Sequence, residues 1–191
     1  MRIIAGEHRG RPLKAPKGSG TRPTTDRVRE SLMSALSSAR GGFDDAYVLD
    51  AFAGSGALSL EALSRGAAYA CLCEKDALAA RVIEENVKTL RYSCEEARVC
   101  RMDVLKNLPP RAKHPYDLVF LDPPYAIDAG QVFELIASLE EAACLDEDLI
   151  ISYEHASAAN ATVDELAAQT GLAVDSRRSY GDTVIDIIVR S

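Results

Sequence analysis

The 191-residue sequence has no run of about 18 apolar residues, so no membrane-spanning helix is expected. Its N-terminus, MRIIAGEHRG, lacks an apolar signal core, which argues against secretion and for a cytoplasmic protein. The five cysteines (Cys71, Cys73, Cys94, Cys100 and Cys144) contain no CxxC pair and are odd in number. That excludes a zinc ribbon and a paired disulfide framework, and leaves buried free thiols as the expectation. Three dispersed histidines without HExxH-like spacing offer no metal centre. Gly, Pro, Ser and Thr crowd together in the stretch KGSGTRPTT, which has the composition of a loop.

The chain is long enough for one core that buries roughly 70% of the unfolded surface. The net charge is -7, unevenly distributed. Residues 1–40 carry nine Arg or Lys against three acids, a balance of +6, and the remainder balances to -13. A polyanion would be drawn to the first forty residues and repelled by much of the rest. This division predicts a basic N-terminal appendage over 1–40, made of a short two-stranded hairpin and a helix, and a larger unit over 41–191. In DRVRESLMSAL the apolar stripe is read through Val28, Leu32 and Leu36, with Arg27 and Arg29 pointing elsewhere.

From residue 47 strands and helices alternate. Strands are predicted at 47–51, 69–73, 97–101, 117–121 and 148–154, with helices at 56–65, 76–91, 130–143 and 163–169. Such alternation implies right-handed crossovers and a mostly parallel sheet with helices on both faces. LAVDSRRSYGDTVIDIIV then places two strands around Tyr180-Gly181-Asp182, a closing hairpin that makes one terminal strand antiparallel. Seven strands so arranged resemble the Rossmann-like sheet of the class I methyltransferases.

Two motifs carry chemistry. LDAFAGSGALSLEALSRGA puts Gly54 and Gly56 in the turn after the first strand, where the backbone can approach a ligand. Ser59 stands where a dinucleotide fingerprint asks for Gly or Ala, which weakens a nicotinamide reading and leaves an oxidoreductase a distant third. The acidic-x-Phe-x-Gly-x-Gly pattern, with Asp50, Phe52, Gly54 and Gly56, resembles motif I of S-adenosylmethionine binding. Glu74 ends the second strand, where a carboxylate can take both ribose hydroxyls, and Asp103 follows the third. By the same resemblance Asp103 would bind the adenine amino group. The fourth strand runs into DPPY, residues 122 to 125, whose prolines hold Asp122 and Pro123 extended. This resembles motif IV of methyltransferases acting on exocyclic amines, which implies that Asp122 and the Pro123 carbonyl accept the two N–H bonds while Tyr125 stacks on the base.

RIIAGEHRGRPLKAP, TRPTTDRVRESLMSAL, FLDPPY and YGDTVIDIIVR together resemble the RsmD-type bacterial 16S ribosomal RNA guanine-N2 methyltransferases across nearly the whole chain. The resemblance implies methyl transfer from S-adenosylmethionine to a guanine N2 amine in 16S rRNA of the small ribosomal subunit. Arg9, Arg11, Arg22, Arg27 and Arg29 would then hold RNA backbone. No metal, no membrane partner and a monomer are expected. An adenine-N6 methyltransferase on DNA or RNA stays open beside it. So does a noncatalytic RNA-binding adaptor, disfavoured by the intact DPPY.

Overall fold

The computed structural model describes residues 1–16 and 26–191. The KGSGTRPTT stretch, Arg22 with it, lies outside the described residues. In chain order the elements are α1 (Asp26–Arg40), β1 (Tyr47–Asp50), α2 (Ala57–Ser64), β2 (Tyr69–Glu74), α3 (Ala77–Leu90) and β3 (Ala97–Arg101). They continue with β4 (Tyr116–Leu121), α4 (Ala129–Glu141), β5 (Leu145–Ala156), α5 (Asn160–Gln169), β6 (Leu172–Tyr180) and β7 (Thr183–Arg190). One seven-stranded sheet has the order β3-β2-β1-β4-β5-β7-β6. Its first five strands pair in parallel, and β7 runs antiparallel to both neighbours. The expected mostly parallel sheet with a closing antiparallel hairpin is therefore present.

Helix ends follow local chemistry. Asp76 caps α3 by accepting from the Leu78 and Ala79 amides, and Asp128 with Gln131 closes a capping box on α4. β1 and β4 meet where the strand order reverses direction, the point beyond whose carboxyl ends a crevice for ligands forms in sheets of this kind.

Two apolar clusters sandwich the sheet. Leu49, Cys71, Val119, Leu121, Ile151 and Tyr153 face one with α4 and α5. Val48, Leu72, Leu118, Phe120 and Ile150 face the other with α1 and the N-terminal hairpin, whose Ile3 and Leu13 are buried in it. This alternation fixes which strand-end side chains can meet.

The N-terminal segment is a hairpin with a single antiparallel bridge, Arg2 to Pro12, rather than two regular strands. Other groups anchor it. The buried Glu61 carboxylate accepts the Ile4 and Ala5 amides at 2.7 and 2.9 Å, and Ser64 Oγ accepts the His8 amide and donates to Ala5 O. Gly6 adopts φ +81, and a Cβ there would stand 1.7 Å from Ser64 O. Gly6→Ala is therefore expected to pry the hairpin from α2 and destabilise the fold by roughly 1–3 kcal/mol, the scale of overpacking. Urea unfolding checks this, and an unchanged midpoint would show that the hairpin is not seated there.

Of the thiols, Cys71, Cys73 and Cys144 are buried and Cys100 is half-buried, but Cys94 is exposed, against the expectation. It follows the turn after α3 and has no core to enter.

Candidate active site

The carboxyl ends of β1, β2 and β4 converge at the crevice. Phe120 and Leu72 flank Asp50 in register, and both belong to the hairpin-side cluster. Side chains alternate along each strand, so Asp50, Glu74 and Asp122 all project to that face. Three acids on one rim make a strongly negative edge.

The loop after β1 is tied on both sides. Ala51 N donates to Phe120 O and Ala53 N to Cys73 O. Gly54 N donates to Glu74 Oε2 at 2.9 Å, and Asp76 N donates to Glu74 Oε1 at 2.8 Å. Glu74 is thus held in place while each oxygen keeps a further lone pair. Gly54 has φ +54 with open space where a side chain would stand, the geometry of a backbone left clear for a ligand. Gly56 caps α2 at φ +76, and there a Cβ would press on Leu72 and Ile83 at 3.0 and 3.1 Å. The two glycines therefore differ: Gly56 serves close packing and Gly54 serves access. Phe52 is half-buried against the opposite cluster.

Asp50 is 2% exposed and accepts a hydrogen bond from Ser59 Oγ at 2.9 Å. Ser59, whose sequence signal is only a departure from a dinucleotide fingerprint, is its lock. Burial, and then the charges of Asp122 and Glu74, push Asp50 up to about 7 against the lowering effect of Ser59. Asp103 follows β3, half-buried, accepting from the Leu105 amide at 3.3 Å with the Lys106 ammonium 3.8 Å away. An open groove of about 500 Å³ runs beside it between residues 104–108 and α4, but it includes none of the other acids.

Asp122 is reached by water at the open rim, yet the dense body of the sheet behind it pushes its carboxyl up to about 6. Both proline torsions hold it there, and Ile127 N closes the turn onto Pro124 O. Tyr125 is 71% exposed while its hydroxyl lies 3.0 Å from Thr183 Oγ1 on β7. An aromatic ring held at its tip and largely exposed can offer a face to another flat ring. Because Asp50 and Asp122 bind their protons more tightly folded than unfolded, their ionisation opposes folding as pH rises from about 4 to about 7. A cation at this edge would relieve that cost.

Of the arginines expected to hold RNA, Arg9, Arg11 and Arg27 are exposed and Arg22 lies outside the described residues. Arg29 must be corrected. It is 1% exposed, its Nη2 donating to Arg2 O and pairing with Asp26 at 3.1 Å. The buried stripe of α1 runs through Arg29, Leu32, Met33 and Leu36, not through Val28, so residue 29 turns inward as a strut under the hairpin.

Comparison with known proteins agrees with this geometry. The family model described as conserved hypothetical protein 95 matches residues 1–189. Ribosomal RNA small subunit methyltransferase D of Escherichia coli is 42% identical over 154 residues, covering 81% of this chain and 74% of that protein. The solved structure of yhhF from Escherichia coli superposes with a TM-score of 0.81 at 34% identity, covering 100% of this chain and 98% of the other. Magnesium protoporphyrin IX methyltransferase from Synechocystis, solved with bound SAM, shares the fold alone at 18% identity and a TM-score of 0.68, covering 86% of this chain and 79% of that one. Matched from its hairpin to its last strand, the chain belongs to the family of ribosomal RNA small subunit methyltransferase D.

Proposed function

We propose that this protein transfers a methyl group from S-adenosylmethionine to the exocyclic N2 amine of a guanine in 16S rRNA of the small ribosomal subunit. The observation that carries the reading is DPPY on the acidic rim, its Asp122 beside the glycine loop and its Tyr125 ring presented to solvent. The relative's name, a small-subunit rRNA methyltransferase, supplies the substrate class.

The donor fits the residues present. The buried Asp50 has no positive charge beside it, and the sulfonium and ammonium of the donor bring one. When bound, that molecule supplies an electrophilic methyl group. Glu74, fixed by two amides, has lone pairs left for ribose hydroxyls, Gly54 leaves its backbone approachable, and Asp103 with the neighbouring backbone would hold the adenine edge.

An exocyclic amine is a poor nucleophile because its lone pair is delocalised into the ring. Two acceptors, Asp122 and the Pro123 carbonyl, would take its two N–H bonds and turn the lone pair outward. Tyr125 would stack on the flipped base, an interaction worth ~1–3 kcal/mol. The basic N-terminal region, residues 1–40, reads as the RNA-gripping part and residues 41–191 as the methyl-transferring part.

Neutralising Arg9, Arg11 and Arg27 together is expected to flatten the salt dependence of RNA binding by roughly 0.7–0.9 in log–log slope for each phosphate no longer neutralised. Donor affinity should not change. An unaltered slope in filter binding would remove these residues from the interface. The reading as a whole is tested with labelled S-adenosylmethionine and small-subunit particles, naked rRNA or duplex DNA, followed by nucleoside mass analysis. Methylguanosine in ribosomal RNA supports it; methyladenine or an unlabelled product overturns it.

A further inference from the structure

A fourth acid stands on the same rim. β4 and β5 pair in parallel with Phe120 opposite Ser152 and Leu121 opposite Tyr153. Phe120 faces the hairpin-side cluster, whereas Leu121 and Tyr153 face the other. The next rung therefore sets Glu154 beside Asp122 on one face, across strands about 4.8 Å apart. Glu154 is half-buried, and its partner on β7 is the buried Ile185. Its carboxylate has no protein hydrogen-bond partner among the described residues, which leaves it free to face Asp122.

We propose that Glu154 is the second carboxylate of a pair with Asp122 and shares with it the proton shed by the methylated amine. It is a positioning residue acting through Asp122, and the inference rests on the methyltransferase reading. In the reaction the S–CH3 bond of the sulfonium breaks and its electron pair stays on sulfur, leaving a neutral thioether. The amine lone pair forms the N–CH3 bond, and the nitrogen, now carrying one bond too many, gives its proton to Asp122. The pair shares that proton until it leaves to water at the open rim.

The titration fits a pair. Burial, and next the charge of Asp122, push Glu154 up to about 7 against the opposing pull of His155, and burial pushes Asp122 up to about 6. The pair is best described by two shared steps near these values. The charges that act on Glu154 are Asp122 and His155, the latter held by Asp186 of β7 at 2.9 Å; the neighbouring elements also carry Asp50 on β1, Arg178 on β6, tied to Ser31 of α1, and the buried Arg29 on α1.

The test is single-turnover methylation of small-subunit particles between pH 5.5 and 9 with Glu154→Gln, Glu154→Asp and the unaltered protein. Glu154→Gln is expected to be slower by about 10²-fold at neutral pH, the low end of proton-transfer effects. It should also lose one proton from the acid limb of the profile, since a pair that already shares one proton takes up a second far less readily. Glu154→Asp should restore that proton and most of the rate. A Glu154→Gln profile with an unchanged limb, whether fast or slow, overturns the pair. Carbon-13 NMR titration of the unaltered protein needs no variant: coupled steps of Asp122 and Glu154 support the pair, and two independent steps sink it. If the unaltered protein methylates nothing, the failure belongs to the functional reading; if it is active and the limb does not change, the failure belongs to Glu154 alone.

Discussion

Asp122→Ala is expected to lower the single-turnover methylation rate at least ~100-fold while S-adenosylmethionine binding, read by calorimetry, stays nearly unchanged. The size follows from positioning, because a reacting group misplaced by about 1 Å costs on that order. Pro123 holds the Asp122 backbone extended, and the carboxylate that aims the amine is lost in the variant. Donor binding should survive, since Glu74, Gly54 and Asp103 are unaltered and removing one acid also lowers the repulsion on Asp50. Parallel losses of donor affinity and rate would show that Asp122 binds the donor and does not aim the amine.

The second large effect lies away from the chemistry. Glu61 is 0% exposed, accepts two hairpin amides, and pairs with Arg65 at 2.8 Å. Glu61→Ala leaves two amides and a guanidinium without their acceptor, so it should cost ~3–5 kcal/mol, the scale for breaking a buried pair. In a domain of this length that shifts the thermal midpoint on the order of 10 °C. Glu61→Gln keeps one carbonyl and should lose less. A midpoint within a degree or two of the unaltered protein would mean that Glu61 does not hold the hairpin.

Much of the fold could be read from period and punctuation. The strand–helix alternation and the Gly181 turn predicted the sheet, because those signals are local. Acids at strand ends and DPPY marked the rim, since the carboxyl edge of such a sheet is where ligands sit. What escaped depends on tertiary packing. Arg29 looked like a surface cation because charge outweighs a stripe displaced by one residue, and only the hairpin above it supplies Arg2 O as a partner. Ser59 looked like a broken motif because its value lies in reaching Asp50 nine residues earlier. Glu154 gave no signal at all: the sequence does not contain the β4–β5 register that brings it beside Asp122. Thr183, which steadies Tyr125, was hidden for the same reason.

The hairpin, the glycine loop and α3 also meet at one side chain. Asn86 accepts from the Lys14 amide and donates to both Lys14 O and Ser55 O, while α2, which begins at that loop, carries Glu61 and Ser64 to the hairpin. The hairpin and the glycine loop are thus bolted to a common bracket. If the hairpin grips RNA and the loop the donor, as proposed, any coupling through that bracket obeys reciprocity: whatever factor the donor adds to RNA binding, RNA must add to donor binding.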